Sequence, residues 1–297
     1  MLRKCQSTEM KKKTMDKKTY SMIEDYMLSC MKDSAHDKEH IYRVLYNALE
    51  IARAVTEAGS GQPEQLQEQR NQSREQSQEQ GNQSREQSQE QRNQSREQSQ
   101  EQKTREEEQT PDMPVNYDIL IATCLLHDIG RGEQYKNPSV CHAKAGGEMA
   151  YRFLTERGFD EAFAEQVKQC IWTHRFRKGN PPQSIEAKIL FDADKLDVAG
   201  ALGIARTLMY KGIVGEPLYT VTSDGSVSGG EEDLAPSFFQ EYKYKLENIY
   251  ANFYTEKGGG LARERQQAAV RFYEGLFDEV SRSYERGREE LARVMGK

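Results

Sequence analysis

Four of the five histidines and one short acidic run are the residues here that could do chemistry. They are His36 and His40 in "AHDKEHIYRV", His127 beside Asp128 in "LLHDIGRG", His174 in "IWTHRF", and the acids of "LFDADKLD", residues 190–197. Three of these histidines fall on inward faces. His40 lies four residues before Val44, on a stripe of Ile41, Val44, Leu45, Ala48, Ala52 and Val55 at helical spacing. His127 closes "YDILIATCLLHDIG", a run that is hydrophobic nearly all round and stops at Gly130. His174 follows Ile171 by three residues and Val167 by seven. One buried histidine is most often a satisfied core residue. Three, on three helices of one domain and accompanied by acids, point to a metal site, because imidazole and carboxylate together suit first-row divalent ions. Spacing leaves the choice of acid open. Asp192 and Asp194 are two positions apart, about 200° on a helix, so both can face one ion only if the helix breaks.

The elements that must position these groups read as helices almost throughout. The stripe after His40 is one, and residues 116–130 are a second, buried one. "CHAKAGGEMAYRFLTERG" is a third, ended by Gly158. "DEAFAEQVKQCIWTH" places Phe163, Val167, Cys170, Ile171 and His174 on one face. "SIEAKILFDADKLDVAGALGIARTLMY" starts on a capping Ser184. "PSFFQEYKYKLENIYANFYT" and "LARERQQAAVRFYEGLFDEVSRSYE" form two amphipathic helices, with Pro236 and the "EKGGG" between them as punctuation. Only "LYTVTSDGSVSGG" hints at strand, as a hairpin around Asp224–Gly225. The expected fold class is all-α.

One block departs from this pattern. Residues 62–109 hold Leu66 as their only aliphatic side chain, and they repeat "EQRNQSREQSQ" with a period of 11 from Glu68. No position of the repeat is apolar, so it cannot bury enough surface to offset its ordering entropy. It reads as a disordered, weakly acidic surface insertion, with a partner-binding tether as the alternative. The remaining residues are enough for one sizeable core. The expected division is a basic tail, 1–18, and one domain, 19–297, interrupted at 62–109. A net charge of −6 supplies no global field drawing the chain to duplex nucleic acid or membrane. No stretch approaches the roughly 18 apolar residues of a membrane span. Five scattered cysteines do not form a disulfide framework, and a reduced, cytoplasmic compartment is expected.

The ordered set H…HD…D, with "AHDKEHIYRV", "LLHDIGRG", "IWTHRF" and "AKILFDADKLDVAGALGIAR" spanning most of residues 30–212, resembles the HD superfamily of metal-dependent phosphohydrolases. Its fold is a helical bundle. The resemblance implies His40, His127, Asp128 and Asp194 as metal ligands, Asp194 being the acid of an "A-D-x-L" pattern. Mn²⁺ is the expected ion, with Mg²⁺, Co²⁺ or Ni²⁺ as alternatives, and its work would be to polarise a phosphoryl oxygen and acidify a water. Asp128 and His174 are the expected catalytic groups; His174 could instead contact substrate or serve a second ion together with His142. Arg131, Arg175, Arg177, Lys178 and Lys195 are expected to bind phosphate. "FQEYKYKLENIYANFYTE" is similar to the last helices of a small bacterial branch that hydrolyses nucleoside triphosphates, so the implied partner is a nucleotide or other small phosphate ester. A cyclic-dinucleotide phosphodiesterase is disfavoured by the absent "G-Y-P" motif. A non-catalytic nucleotide sensor is the rival of another class, and its signature, a broken ligand set, is not seen.

Overall fold

A computed structural model describes residues 14–31, 38–59, 114–175, 179–231, 233 and 235–296. Contacts within the chain define one unit of Met1–Arg53 with Val115–Lys297 and another of Ala54–Pro114. The first carries the candidate site. Its helices are α1 (Lys17–Cys30), α2 (Lys38–Gly59), α3 (Tyr117–Leu126), α4 (Arg131–Lys136), α5 (His142–Glu156), α6 (Glu161–Thr173), α7 (Ile185–Leu196), α8 (Gly200–Val214), the short α9 (Phe238–Glu241) and the 39-residue α10 (Glu256–Val294). Among the described residues the only β pairing is one antiparallel bridge, Val221 with Val227, closing the turn at Gly225, where φ is +86°. The all-α expectation holds. None of the described helices is long and apolar enough to cross a membrane.

The central element is α3. Asn116 caps it, accepting from the Asp118 and Ile119 amides, and Ile119, Leu120 and Ala122 to Leu126 are buried. Around it pack α1, α5, α6 and α7. The stripe on α2 is buried from Ile41 through Val44, Leu45, Ala48 and Ala52, joined by Ile51, while Val55 at its end is half-buried. A second core lies further along the chain, where Phe238, Phe239, Tyr242, Leu246, Ala269 and Tyr273 cluster with Ile204.

Four boundaries differ from the sequence reading. Helix α1 begins at Lys17, inside the stretch read as tail, because Asp16 caps it through the Thr19 amide (2.7 Å). The long run from Ser184 is two helices. Ser184 does cap α7, but the chain breaks at Asp197–Ala199 and restarts at Gly200 with φ +67°. The "GGG" is not a linker: Gly258 to Gly260 lie in α10, capped by Thr255. A Cβ on Gly258 would lie 2.6 Å from an Asp192 carboxylate oxygen, so close approach, not flexibility, accounts for that glycine. The stretch before it holds only α9, a π-turn over Tyr242–Leu246 and a 3-10 turn over Ile249–Ala251.

Candidate metal centre

Helix α3 ends at Leu126, and His127 is its C-cap. The chain turns through Asp128 and Ile129 to Gly130, which starts α4. Any Cβ on Gly130 would sit 2.2 Å from the His142 carbonyl and 2.5 Å from the Gly146 amide. That glycine lets the turn press against the first residues of α5, bringing Asp128 to His142. His174 is the C-cap of α6, and His40 lies in the first turn of α2. Four helix ends therefore deliver four imidazoles to one buried carboxylate: His40, His127, His142, His174 and Asp128 are each at most 4% exposed.

The arrangement is two nests sharing Asp128. In the first, His40 Nε2 is 3.2 Å from His127 Nε2, 3.3 Å from Asp194 Oδ1 and 3.6 Å from Asp128 Oδ2. His127 Nε2 is 3.7 Å from the same Asp128 oxygen. In the second, Asp128 Oδ1 lies 3.4 Å from His142 Nε2 and 3.7 Å from His174 Nε2, and those nitrogens are 3.3 Å apart. Each group, His40–His127–Asp194 and Asp128–His142–His174, is compact enough to hold a metal ion.

The tautomers follow from what stands behind each ring. Nδ1 of His127 faces the Cys124 carbonyl (2.8 Å) and that of His174 the Ile171 carbonyl (2.6 Å). Nδ1 of His142 faces Gln134 Oε1 (2.7 Å), and that of His40 the Asp197 carboxylate (2.7 Å). In the neutral rings these acceptors take the proton of Nδ1, which turns the four Nε2 atoms toward Asp128; His40 Nδ1 also lies 3.2 Å from Arg206 Nη1. Asp128 Oδ2 is buried with no hydrogen-bond partner among the described residues. Two lone pairs and an orphaned carboxylate oxygen repel one another unless a cation lies between them, and this donor set fits a divalent ion.

In the ion-free chain the His40 ring carries the positive charge of the first nest. Burial opposes ionisation of Asp128, yet His127, His40 and Arg131 hold its carboxyl well below the usual range. Burial alone would lower His40, but Asp128 and Asp194 outweigh it and raise the ring to about 9. His127, wholly buried, is pushed down to about 4.

The expected residues divide clearly. His40, His127, Asp128, Asp194 and His174 are brought together. Asp192 is not: it faces the start of α10 and accepts from the Tyr254 amide (2.9 Å), the Thr255 amide (2.7 Å) and the Thr255 hydroxyl (2.6 Å). Arg131 Nε donates to Asp128 Oδ1 at 2.9 Å. Arg175 Nη1 is buried without a partner among the described residues, and burial with the charges of Arg131 and Arg175 lowers His142. Lys195 donates to the Asn252 carbonyl (3.1 Å) and covers the Phe191 ring. His36, Arg177 and Lys178 lie outside the described residues. Sequence reasoning missed Gln134, Arg43 and Arg206. Arg43, one turn after His40 on α2, was the detectable one: its Nε donates to Asp197 at 2.6 Å. No sequence signal marked the other two.

With this geometry in view, the likeness to known proteins is specific. Residues 94–199 match the family model of the HD domain. Bacillus subtilis YpgQ is 33% identical over 134 residues, which is 44% of this chain and 59% of YpgQ; a Clostridium beijerinckii protein is 33% identical over 81 residues, 27% of this chain and 48% of its own length. The chain thus spans only about half of the curated relatives it matches. The crystal structure of YpgQ in complex with ADP shares the fold, with a TM-score of 0.53 and 20% identity over 88% of this chain and 95% of that one. An HD-superfamily hydrolase from Bacillus thuringiensis gives 0.53 and 21%, over 88% of this chain and 96% of that one.

Proposed function

We infer that this chain is a divalent-metal-dependent phosphohydrolase acting on nucleotides, with His40, His127, Asp128 and Asp194 as the ligands. The observation that carries this is the orphaned Asp128 Oδ2, buried 3.6 Å from His40 Nε2 and 3.7 Å from His127 Nε2. The bound ion, Mn²⁺ by its fit to mixed imidazole and carboxylate, supplies Lewis-acid polarisation of a phosphoryl oxygen and an acidified water. The protein's own groups do the rest. Arg131 fixes the Asp128 carboxylate from the opposite oxygen. A second cation on His142 and His174 would share that oxygen with Arg131, so the first nest is the primary site. Arg175 Nη1, buried with no hydrogen-bond partner among the described residues, suits a phosphate oxygen. In this reading His174 exchanges a proton with the reacting group. The complex of YpgQ with ADP supports a nucleotide as ligand.

A release screen over nucleoside mono-, di- and triphosphates with Mn²⁺, Mg²⁺, Co²⁺ and no metal tests this. The expected products from a triphosphate are pyrophosphate and the nucleoside monophosphate. Orthophosphate with free nucleoside refutes the triphosphate, and no turnover of any ester with Mn²⁺ refutes the enzyme in favour of a sensor. Arg175→Ala raises KM for the triphosphate by about tenfold, the loss of one charge-assisted hydrogen bond, without changing metal content.

A further inference from the structure

His40 differs from the other three imidazoles. Their Nδ1 acceptors are neutral: two carbonyls on their own helices and one amide, Gln134. His40 has instead a buried carboxylate, Asp197, which is 0% exposed. His40 is also the one that arrives from α2, on the far side of the polar block in sequence. The last turn of α7 brackets its ring. Asp194 stands 3.3 Å from Nε2, and Asp197, three residues on, stands 2.7 Å from Nδ1. Two guanidinium groups fix Asp197 in turn. Arg43 donates through Nε (2.6 Å) and Nη2 (3.2 Å), and Arg206 of α8 pairs with the same carboxylate; Arg206 Nη1 is also 3.2 Å from His40 Nδ1, but the acceptor-only carboxylate is the nearer partner of that nitrogen at 2.7 Å. A buried carboxylate held by two arginines is costly to move and costly to protonate.

We propose that Asp197, clamped by Arg43 and Arg206, is the positioning residue that fixes His40 with its proton on Nδ1 and its Nε2 lone pair aimed into the first nest. This rests on the metal-centred reading above. Helix α8 follows the 94–199 family match, so Arg206 makes the first nest depend on a residue outside the matched segment. Carboxylates behind ligating histidines fix tautomer and orientation, and their loss weakens metal affinity about 10- to 100-fold. In Asp197→Asn the carbonyl oxygen retains the arginines, so the amide presents N–H to Nδ1 and drives the ring proton onto Nε2.

Two measurements on the full chain test this. The first is Mn²⁺ affinity, followed by the electron paramagnetic resonance of the free ion. The expected result is a 10- to 100-fold loss for Asp197→Asn, a smaller loss for Arg206→Gln, and partial recovery with Asp197→Glu. The second is nitrogen-15 NMR of labelled histidines in the metal-free wild-type protein at alkaline pH, where the rings are neutral, with His40 assigned by comparison with His40→Gln. His40 protonated on Nδ1 supports the proposal, and protonation on Nε2 overturns it even where a variant fails to fold. Asp197→Asn binding within about twofold of wild type overturns it as well. If the wild-type chain binds no Mn²⁺, the metal reading fails, and the NMR result still decides the role of Asp197.

Discussion

Two buried aspartates, Asp192 and Asp128, show how the two halves of this fold differ. Asp192 faces the C-terminal region and is fully satisfied: it accepts two amides and a hydroxyl where α10 begins, and joins α7 to that helix. Asp128, at the centre of the N-terminal helices, keeps one oxygen buried and unbonded among four imidazoles. The C-terminal region, which contains no histidine, is held by aromatic rings, Tyr242 stacked on Tyr273 at 4.1 Å and Phe239 edge-on to Tyr273 at 5.3 Å. The N-terminal helices instead devote core positions to four imidazoles gathered around one carboxylate. An unmet buried polar atom costs about 1–3 kcal/mol, which a satisfied one does not. The satisfied acid therefore reads as architecture and the unsatisfied one as a site.

This contrast can be broken experimentally. The largest effect is expected for Asp128→Ala, which removes the group common to both nests. Metal content by elemental analysis should fall to background and nucleotide turnover by more than about a thousandfold, with the helical circular dichroism kept. Retained metal would dissolve the distinction. Next in size is Phe239→Ala in the aromatic core. It should destabilise the chain by about 3–5 kcal/mol in denaturant titration while folded molecules bind metal normally. A matching loss of metal affinity would mean that the two regions are not separable.

Asp192→Asn sharpens the contrast on a smaller scale. It should cost about 1–3 kcal/mol of stability through the Thr255 contacts and leave metal content unchanged, whereas Asp194→Asn should lower metal content and leave stability nearly unchanged. The reverse order would exchange the roles given to the two acids. The smallest effect is expected outside both regions. Replacing residues 62–109 with a short Gly/Ser linker should shift stability by less than about 1 kcal/mol, since loop closure grows only logarithmically with length. A large fall in thermal midpoint would show that the repeat packs on something.

The helical class, the inward face of His40 and the placement of His127–Asp128 at a helix end were legible, because hydrophobic period and terminal glycines are local signals. The break at Asp197–Ala199 was not. The run from Ser184 to Tyr210 is helix-compatible throughout, and only the packing of Gly200 against Arg265, 2.8 Å from where a Cβ would stand, requires the interruption. The glycines of α10 misled for a similar reason. Low helix propensity suggests a linker, while the steric demand that placed Gly258 there comes from Asp192, 66 residues earlier.

The sequence by itself determined which side chains could form the site: His40, His127, Asp128, His174 and an aspartate of "DADKL" stand in recognisable order on apolar helices. Resemblance pointed to Asp194 and to His142 as a possible second-site histidine, while tertiary structure decided that Asp192 turns away to α10 and that Arg43 and Arg206 close on Asp197 behind His40. The physical reason is range. Periodicity reports which face of a helix a residue occupies, but the identity of its partner is set by another helix end, 157 residues away for His40 and Asp197.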